Sequence, residues 1–144
     1  MLFRSVSQSR YDQYMIRGIE IEFIPRITQA VVQTPNSIGN IWSVLDYDDS
    51  ISPATVQDLM QYQNIQRTQM TQVHKRMLVP AIRGNATSTS GTAYIPKKKQ
   101  WVDLSDPGLE HYGVKVWVDG LGTGAPAIEF DIVTTYHLAM KNVR

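Results

Sequence analysis

The chain has no cysteine among its 144 residues. This absence excludes disulfide bonds, thiolate zinc sites and cysteine nucleophiles. No apolar run approaches the roughly 18 residues that a membrane-spanning helix requires. The first residues lack the long apolar core of a secretory signal peptide, and no internal repeat or heptad pattern occurs. With a formal net charge of +1, the chain as a whole does not have the charge of a polyanion-binding protein.

The composition that remains is typical of one globular domain, which we place at residues 1–144. Hydrophobic residues make up 42% of the chain and charged residues 19%, so there is enough apolar material for a core. Seven prolines and nine glycines are spread along the chain, as expected where turns join many short strands. The composition therefore favours a single domain rich in β-strands.

Two segments near opposite ends of the chain alternate apolar and polar side chains. They cover residues 14–25 and 128–138, and each pattern predicts a strand with one buried face and one wet face. In the first segment Tyr14 falls on one face and Ile19 on the other, and a β-bulge at Gly18 would reconcile them. Because the chain between the two segments also consists of strand and turn patterns, we predict an antiparallel β-sandwich.

The intervening sequence contains further elements between turn signals. A short helix is predicted over residues 54–61, with Ser52 as its N-cap and Pro53 at its first helical position. A single helical turn is predicted over residues 8–15, and the Gly-, Ser- and Thr-rich stretch 84–91 is predicted to be a flexible loop. Further strands are expected at residues 38–47, 65–79, 92–95, 100–104 and 113–118, which gives seven strands and one or two short helices in all.

No catalytic constellation is recognisable in the sequence. Asp46, Asp48 and Asp49 form the only dense acidic cluster, and two interpretations are open: a cation site, or a strand end with turn-forming aspartates near a helix N-terminus. The second is favoured because the spacing is not that of a calcium loop. The chain's three histidines lie on separate predicted elements, without metal spacing or the order of a catalytic triad. We therefore predict no catalytic residue, no metal site and no cofactor. The histidines are His74, His111 and His137.

A run of three lysines, Lys97, Lys98 and Lys99, stands just before Trp101. One interpretation is contact with a phosphate backbone, with the tryptophan stacking on a base. The other is a solvated loop beside a core tryptophan. The pattern alone leaves both open.

A second basic group is predicted on the strand at residues 65–79. Arg67 and Lys75 have the same parity along this strand, so they would share one face of a sheet. Arg83 would extend the group beyond Pro80. The expected result is a basic stripe along one sheet edge.

Seven segments carry a resemblance to a known family and occur in the order that the family shows. Each is weak evidence singly, but their order and spacing together are fairly specific and span almost the whole chain. They are YDQYMIRGIEIEFIP (11–25), WSVLDYDD (42–49), LMQYQN (59–64), HKR (74–76), KKKQWVD (97–103), HYGVKV (111–116) and KNVR (141–144). Together they resemble the capsid proteins of circular, Rep-encoding single-stranded DNA viruses, the circovirus-like group.

The resemblance implies a viral jelly roll, in which roughly eight strands form two four-stranded antiparallel sheets. The strands recognisable here would be the second to the eighth, with residues 14–25 as the second and residues 127–140 as the last. Such capsid proteins begin with an arginine-rich arm followed by a first strand, whereas only Arg4 and Arg10 precede the first recognisable strand. We therefore expect the basic arm and the first strand to be absent from this sequence, through truncation or through loss in the lineage.

The resemblance also implies a coat protein that self-assembles into an icosahedral shell, of on the order of sixty copies, around single-stranded DNA. Its partners would be further copies of itself, DNA bound without sequence preference and a host-cell receptor, with no membrane. It would occur in the virion, and in the host nucleus during assembly. Candidate DNA contacts are Arg67, Lys75, Lys97, Lys98 and Lys99. Candidate subunit-interface residues are Trp117, Tyr112, Asp48 and Asp49, with contact loops at residues 26–37, 48–62, 80–98 and 119–126.

The alternative is a β-sandwich binding module for carbohydrate or protein, since jelly rolls also serve lectins and the fold alone does not choose. Such a module would be a monomer or small oligomer with a shallow aromatic site that uses Trp117 and Tyr112. A capsid protein would instead form very large assemblies with co-purifying nucleic acid. A metalloenzyme built on the acidic cluster is a more remote interpretation, because nothing else in the sequence completes its site.

Overall fold

The computed structural model describes residues 11–26, 39–48, 51–88, 91–106, 108–119 and 129–143. The strands in these ranges are β1 (Tyr11–Pro25), β2 (Asn40–Leu45), β3 (Gln66–Gln69), β4 (His74–Leu78), β5 (Ala81–Ser88), β6 (Gly91–Lys98), β7 (Val102–Asp103), β8 (Val114–Asp119) and β9 (Phe130–Val143). One short helix, α1 (Val56–Met60), lies between β2 and β3. The predicted all-β fold with antiparallel sheets and little helix is confirmed.

The first sheet is built around β1. This strand pairs along its length with β9 on one side, and with β4 and the short β7 on the other. Every second residue of a strand lies on the same face of the sheet. On one face of β1, Phe23 stands opposite His74 of β4. Four positions earlier, Ile19 stands opposite Leu78, which is buried. This face of β1 and β4 is the one that packs into the core.

A bulge corrects the phase of β1. Its register against β9 shifts between Ile16 and Gly18. The extra residue on β1 brings Ile16 and Ile19 to the same side of the sheet, although their positions in the sequence differ by an odd number. The predicted bulge at Gly18 is confirmed.

The second sheet has the strand order β3–β2–β8. Helix α1 contacts β2, and Leu59 of the helix and Val44 of β2 are both fully buried. The strand predicted at residues 38–47 is thus present, with its bounds at Asn40–Leu45. No helix in the described ranges is long and apolar enough to cross a membrane.

Buried side chains join the two sheets into a sandwich. The His74 ring of β4 has its Nε2 2.6 Å from Ser43 Oγ of β2 and its Nδ1 2.8 Å from Thr68 Oγ1 of β3. Strand β4 therefore lies against β2 and β3. Strand β9, at the opposite edge of the first sheet, consequently lies on the same side as β8. Consistent with this, Ile21 of β1 and Val116 of β8 line one cleft of about 530 Å³ between the sheets. The end strands β8 and β9 consequently border the same side of the sandwich.

Strands β5 and β6 form a separate antiparallel hairpin. Its register runs from Ala81 opposite Lys98 to Ser88 opposite Gly91. The flexible loop predicted at residues 84–91 is therefore wrong, because most of that stretch is strand. Glycine, serine and threonine favoured a loop, but cross-strand pairing overrides such local preferences. The short strand expected at residues 92–95 is present within β6.

The single strand predicted over residues 65–79 is wrong as well. It consists of two strands, β3 and β4, which belong to different sheets. In the turn between them the Gln72 amide donates to the Gln69 carbonyl, and the Met70 amide donates to the Gly39 carbonyl. Side chains alternate with a period of two on both sides of this turn, so the alternation alone does not reveal that a turn is present.

Helix α1 begins later than predicted. Its N-cap is Thr55 rather than Ser52, because Thr55 Oγ1 accepts a hydrogen bond from the Asp58 amide at 3.4 Å. In return an Asp58 carboxylate oxygen accepts a bond from the Thr55 amide at 2.9 Å. This reciprocal capping box determines where the helix starts.

Three other predicted elements differ at their ends. Residues 11–15 belong to β1, so the helical turn predicted over residues 8–15 is wrong for its described part, and residues 8–10 lie outside the described ranges. The strand expected at residues 100–104 is only Val102–Asp103, whereas the last strand continues to Val143.

His74 should make the stability of this core depend on pH. Its ring is 1% exposed, and burial, followed by the charge of Arg76, lowers its pKa below the ordinary value. As the pH falls, the imidazole of the unfolded chain takes up its proton near pH 6.5, before that of the folded protein. The free energy of unfolding should therefore decrease as the pH falls below about 6.5. Urea unfolding at about pH 7.5 and about pH 5.5 measures this decrease.

In His74→Gln we expect a smaller decrease between the two pH values. We also expect a stability lower by about 1–3 kcal/mol near pH 7.5, because buried hydrogen bonds are lost. His137→Gln is the matched control, since His137 is 48% exposed, and its stability near pH 7.5 should stay close to that of the wild type. An unchanged pH dependence in His74→Gln would contradict the role given to His74.

Candidate assembly and nucleic-acid surfaces

Two predicted interface residues, Asp48 and Tyr112, meet at Arg83. The Arg83 guanidinium donates to the Asp48 carbonyl from Nε at 3.2 Å and from Nη2 at 2.9 Å. Its central carbon lies 5.0 Å from the ring centroid of Tyr112 and 5.2 Å from that of Tyr94, within the range of cation–π attraction. We call these four residues the Arg83 cluster. Together with two backbone bonds between Ala81 and Tyr112, the cluster attaches the β5–β6 hairpin to the sandwich.

Large apolar side chains of the attached hairpin are exposed to solvent. Tyr94 is 59% exposed and Ile95 is 42% exposed. Aromatic and aliphatic side chains on an exposed strand pair are suited to contact with another protein. The predicted contact loop at residues 80–98 is therefore a β-hairpin, and it presents a candidate interface.

Trp117 and Arg67 lie in one row on the second sheet. Trp42 of β2 stands opposite Trp117 of β8 on one side and opposite Arg67 of β3 on the other. Residues directly opposite share a face, so the three side chains are neighbours. The Arg67 guanidinium carbon lies 5.5 Å from the Trp42 ring centroid. Both tryptophans are half-buried and Arg67 is exposed. A candidate interface residue and a candidate nucleic-acid residue thus occupy the same surface.

Lys75 does not join Arg67. It lies on β4 in the first sheet, with its ammonium 3.0 Å from Glu22 and 3.2 Å from Glu20. Hydrogen bonds to Glu22 and Glu20 raise the pKa of Lys75. The predicted basic stripe through Arg67, Lys75 and Arg83 is wrong, because these residues belong to three different sheets.

The three lysines of the run are exposed but point in different directions. The alkyl chain of Lys97 passes over Gly84, where it occupies the space that a Cβ would need. The Lys98 ammonium lies 3.7 Å from the ring centroid of Tyr47. Lys99 follows β6 with φ at 53°, in the left-handed region. The run therefore combines exposed charge with side chains that are partly positioned by packing.

Lys141 adds a cation beside this run that the sequence analysis missed. Its ammonium lies 4.4 Å from the ring centroid of Trp101, which is 40% exposed. No local pattern links the two, because Lys141 belongs to β9. The sheet brings them together: Gln13 of β1 stands opposite Lys141 on one side and opposite Asp103 of β7 on the other. Only the register of β1 against both neighbours could have predicted this contact.

The acidic cluster contains a buried ion pair. Asp46 is 8% exposed, and its Oδ2 accepts hydrogen bonds from Lys115 Nζ at 2.6 Å and from Tyr62 Oη at 2.7 Å. Its Oδ1 accepts one from the Asp48 amide at 2.9 Å. Burial by itself would raise the pKa of Asp46, but the bonds from Lys115, Tyr62 and Asp48 lower it. Asp49 lies outside the described residues, and within the part of the chain that is described no three potential metal ligands cluster.

The three histidines occupy separate environments. His74 lies in the core, between the two sheets. His111 Nδ1 lies 3.3 Å from the Leu109 carbonyl oxygen, and burial lowers the pKa of this ring. His137 Nε2 lies 3.2 Å from a Glu20 carboxylate oxygen, on the solvent side of the first sheet. The fold does not bring these rings together.

Lys115→Met should destabilise the protein, because the buried Asp46 carboxylate loses its charge partner. Breaking one side of a buried pair costs several kcal/mol, and the remaining bonds from Tyr62 and Asp48 reduce the cost here. We expect the free energy of unfolding, measured in urea at neutral pH, to fall by about 2–3 kcal/mol. Lys75→Met removes an exposed lysine and is the control, with only a small expected effect. Similar losses in both variants would contradict this assignment.

The chain matches a family model described as circovirus capsid protein over residues 5–144. No curated protein sequence matches it. Among solved structures it is similar to the 60-mer BFDV capsid protein, with a TM-score of 0.64 and 16% identity, over 89% of this chain and 68% of that chain. It is also similar to Red Clover Necrotic Mosaic Virus, with a TM-score of 0.57 and 16% identity, over 96% of this chain and 41% of that chain. For Melon necrotic spot virus the TM-score is 0.56 and the identity 15%, over 97% and 41% of the two chains.

At these identities the similar structures show the fold alone. The first is a capsid protein and the other two are structures of viruses, and the predicted jelly roll is confirmed. The chain spans about two fifths of the last two chains that it matches. The family model, in contrast, covers nearly the whole sequence. The chain therefore belongs to the circovirus capsid protein family.

Proposed function

We propose that this protein is the coat subunit of a small icosahedral shell, of on the order of sixty copies, that encloses circular single-stranded DNA. The match to the circovirus capsid family over residues 5–144 is the observation that carries the proposal. The 60-mer formed by the BFDV capsid protein, which has the same fold, supports the proposed shell size. The role of such a subunit is structural rather than enzymatic.

In this shell the sandwich forms the rigid wall and the exposed apolar surfaces form the contacts between subunits. The Arg83 cluster holds the base of the β5–β6 hairpin, so that Tyr94 and Ile95 are presented at a fixed position. Asp48 and Tyr112 then act by positioning the hairpin, through their contacts with Arg83. Trp117, in its row with Trp42 and Arg67, supplies a second contact surface.

The best DNA-facing surface is the lysine run together with Trp101 and Lys141. Its exposed ammonium groups attract phosphates, independently of the base sequence. Trp101 has exposed ring surface on which a base can stack. Arg67 is a further candidate beside Trp42. Lys75 contributes less, because Glu20 and Glu22 already neutralise its charge.

Two further partners belong to the same proposal. The outer surface of the shell would bind a receptor on the host cell. Packaging of a DNA genome would place assembly in the host nucleus, and the finished protein in the virion. Neither step requires a membrane contact or a cofactor.

Light scattering and negative-stain images of the purified chain test the shell. We expect uniform closed particles with a mass on the order of 1 MDa, built from the 16.3 kDa chain. In Ile95→Asp we expect folded subunits without particles, because the contact would bury a charge, whereas Ile95→Val should assemble normally. A uniform wild-type monomer or dimer would contradict assembly of this chain into a shell, and two interpretations would then remain: a capsid fragment that lacks its first strand, or a β-sandwich binding module.

The triple variant Lys97→Gln, Lys98→Gln, Lys99→Gln tests the DNA surface. We expect less packaged nucleic acid and a weaker dependence of DNA affinity on salt. If all three lysines contact phosphates, the logarithmic salt slope should fall by about 2. Lys75→Gln is the matched control and should leave the slope nearly unchanged. An unaltered slope and DNA content in the triple variant would show that the lysine run is not the DNA surface.

A further inference from the structure

Two neighbouring rows of residues identify the outer face of the first sheet near the end of β9. Tyr14 of β1 stands opposite Val102 of β7, and Val102 is buried, so this row faces the core. Successive residues of a strand point to opposite faces of the sheet. The next row, in which Gln13 stands opposite Asp103 on one side and Lys141 on the other, therefore faces outward.

Trp101 immediately precedes β7 and meets this outward row through Lys141. Its side chain is 40% exposed, and the Lys141 ammonium lies 4.4 Å from the centroid of its ring. The ammonium group of a lysine stays in contact with water, so it covers the solvent side of the ring. Val102 anchors the segment in the core, whereas the indole of Trp101 remains at the surface beneath a lysine.

The sequence around this ring is basic. The lysine run ends two residues before Trp101, and Lys141 adds a fourth lysine. The nearest carboxylate in the sequence belongs to Asp103, whose Oδ1 accepts a hydrogen bond from the Ser105 amide at 2.8 Å. Contact surfaces between proteins are poor in lysine. Four lysines with an accessible aromatic ring instead suit a ligand that carries both a negative charge and a flat ring, which is the chemistry of a nucleotide.

The contact between Lys141 and Trp101 is weak enough to be exchanged for another. A cation–π contact at an exposed site stabilises less than the stacking of a nucleobase on an aromatic side chain. A base that replaces the ammonium on the ring therefore gains more than the ammonium loses. The released ammonium also gains, because it can form a charge-assisted hydrogen bond with a phosphate oxygen.

We propose that Trp101 and Lys141 form a subsite for one unpaired nucleotide of a single-stranded nucleic acid. The base stacks on the Trp101 ring in place of the Lys141 ammonium, which moves to a neighbouring phosphate. A double helix offers phosphates but keeps its bases inside the stack, so it does not make this exchange. The lysine run attracts both forms, and the subsite selects the single strand. The inference rests on the proposed DNA surface and adds strand selectivity to it.

Substitution of the ring tests the stacking step. Fluorescence anisotropy of unassembled subunits measures the affinity for a single-stranded oligodeoxynucleotide of about 12 nucleotides and for the duplex of the same sequence. In Trp101→Leu we expect the single-strand affinity to fall by about 5- to 100-fold, and the duplex affinity to change by less than about twofold. Trp101→Phe keeps a ring and should lose less single-strand affinity than Trp101→Leu.

Substitution of the lysine tests the exchange. In Lys141→Gln we expect the logarithmic salt slope for the single strand to fall by about 0.7, the value for one phosphate contact. The slope for the duplex should stay the same, because the duplex leaves the Lys141 ammonium on the ring. Lys141→Arg keeps the charge and should keep both slopes. Lys75→Gln removes another lysine from the outer face of the first sheet and is the matched control, with both slopes unchanged.

Three results would overturn the subsite. The first is a Trp101→Leu variant that binds both ligands as the wild type does, or loses affinity for both equally. The second is a Lys141→Gln variant whose slope falls equally for single strand and duplex, since Lys141 would then be an ordinary phosphate contact. The third is the loss of particles in Trp101→Leu with unchanged affinities, which would place Trp101 in a contact between subunits.

Failure of the subsite is distinguishable from failure of the proposed DNA surface. If the wild-type chain binds neither ligand, the DNA surface is wrong and the subsite with it. If the triple lysine variant loses single-strand affinity while Trp101→Leu keeps it, only the subsite is wrong. Circular dichroism checks that each variant folds, and the Lys141 variants decide the question if Trp101→Leu does not fold.

Discussion

The antiparallel pairing of β1 with β9 is the constraint on which the rest of the fold depends. The register runs from Tyr11 opposite Val143 to Pro25 opposite Phe130, so strands from opposite ends of the chain lie side by side. Arg26 closes one end of this pair through ion pairs with Glu129 and Asp131. Such distant contacts carry a large loop-closure entropy, which the many cross-strand contacts of two long strands can offset. The other strands are then arranged around β1 or in the layer that faces it.

Buried polar groups determine how the two layers and the surface elements are aligned. His74 bridges hydroxyl groups of β2 and β3, and the Asp46–Lys115 pair ties the end of β2 to β8. A shift of one sheet against the other would leave the His74 ring unsatisfied, and a slip of β8 along β2 would separate Asp46 from Lys115. Arg83 acts in the same way for the hairpin, through the Asp48 carbonyl and two tyrosine rings. The polar contacts thus select one arrangement among many that would bury similar apolar area.

The same topology leaves large apolar side chains exposed, as monomeric proteins rarely do over a contiguous surface. The hairpin presents Tyr94 and Ile95, and the last strand presents Ile132 and Tyr136, beside an edge that no strand of the described ranges covers. Exposed apolar side chains and unpaired strand edges favour association. Membership of a capsid family is consistent with these features, because exposed apolar side chains are suited to contacts between protein subunits.

The sequence by itself determined the all-β fold class, the bulge at Gly18 and the family. The first two follow from alternation of side chains and the third from the order of short segments along the chain. It did not reveal the break between β3 and β4. Alternation of side chains shows which residues share a face, but it does not show which strand lies alongside. For the same reason Arg67 and Lys75 share a parity, yet one lies beside Trp42 and the other beside Glu22. Sheet order and side-chain partners join residues far apart in the sequence, so only the tertiary structure, through the burial and hydrogen bonding of the whole chain, decided them.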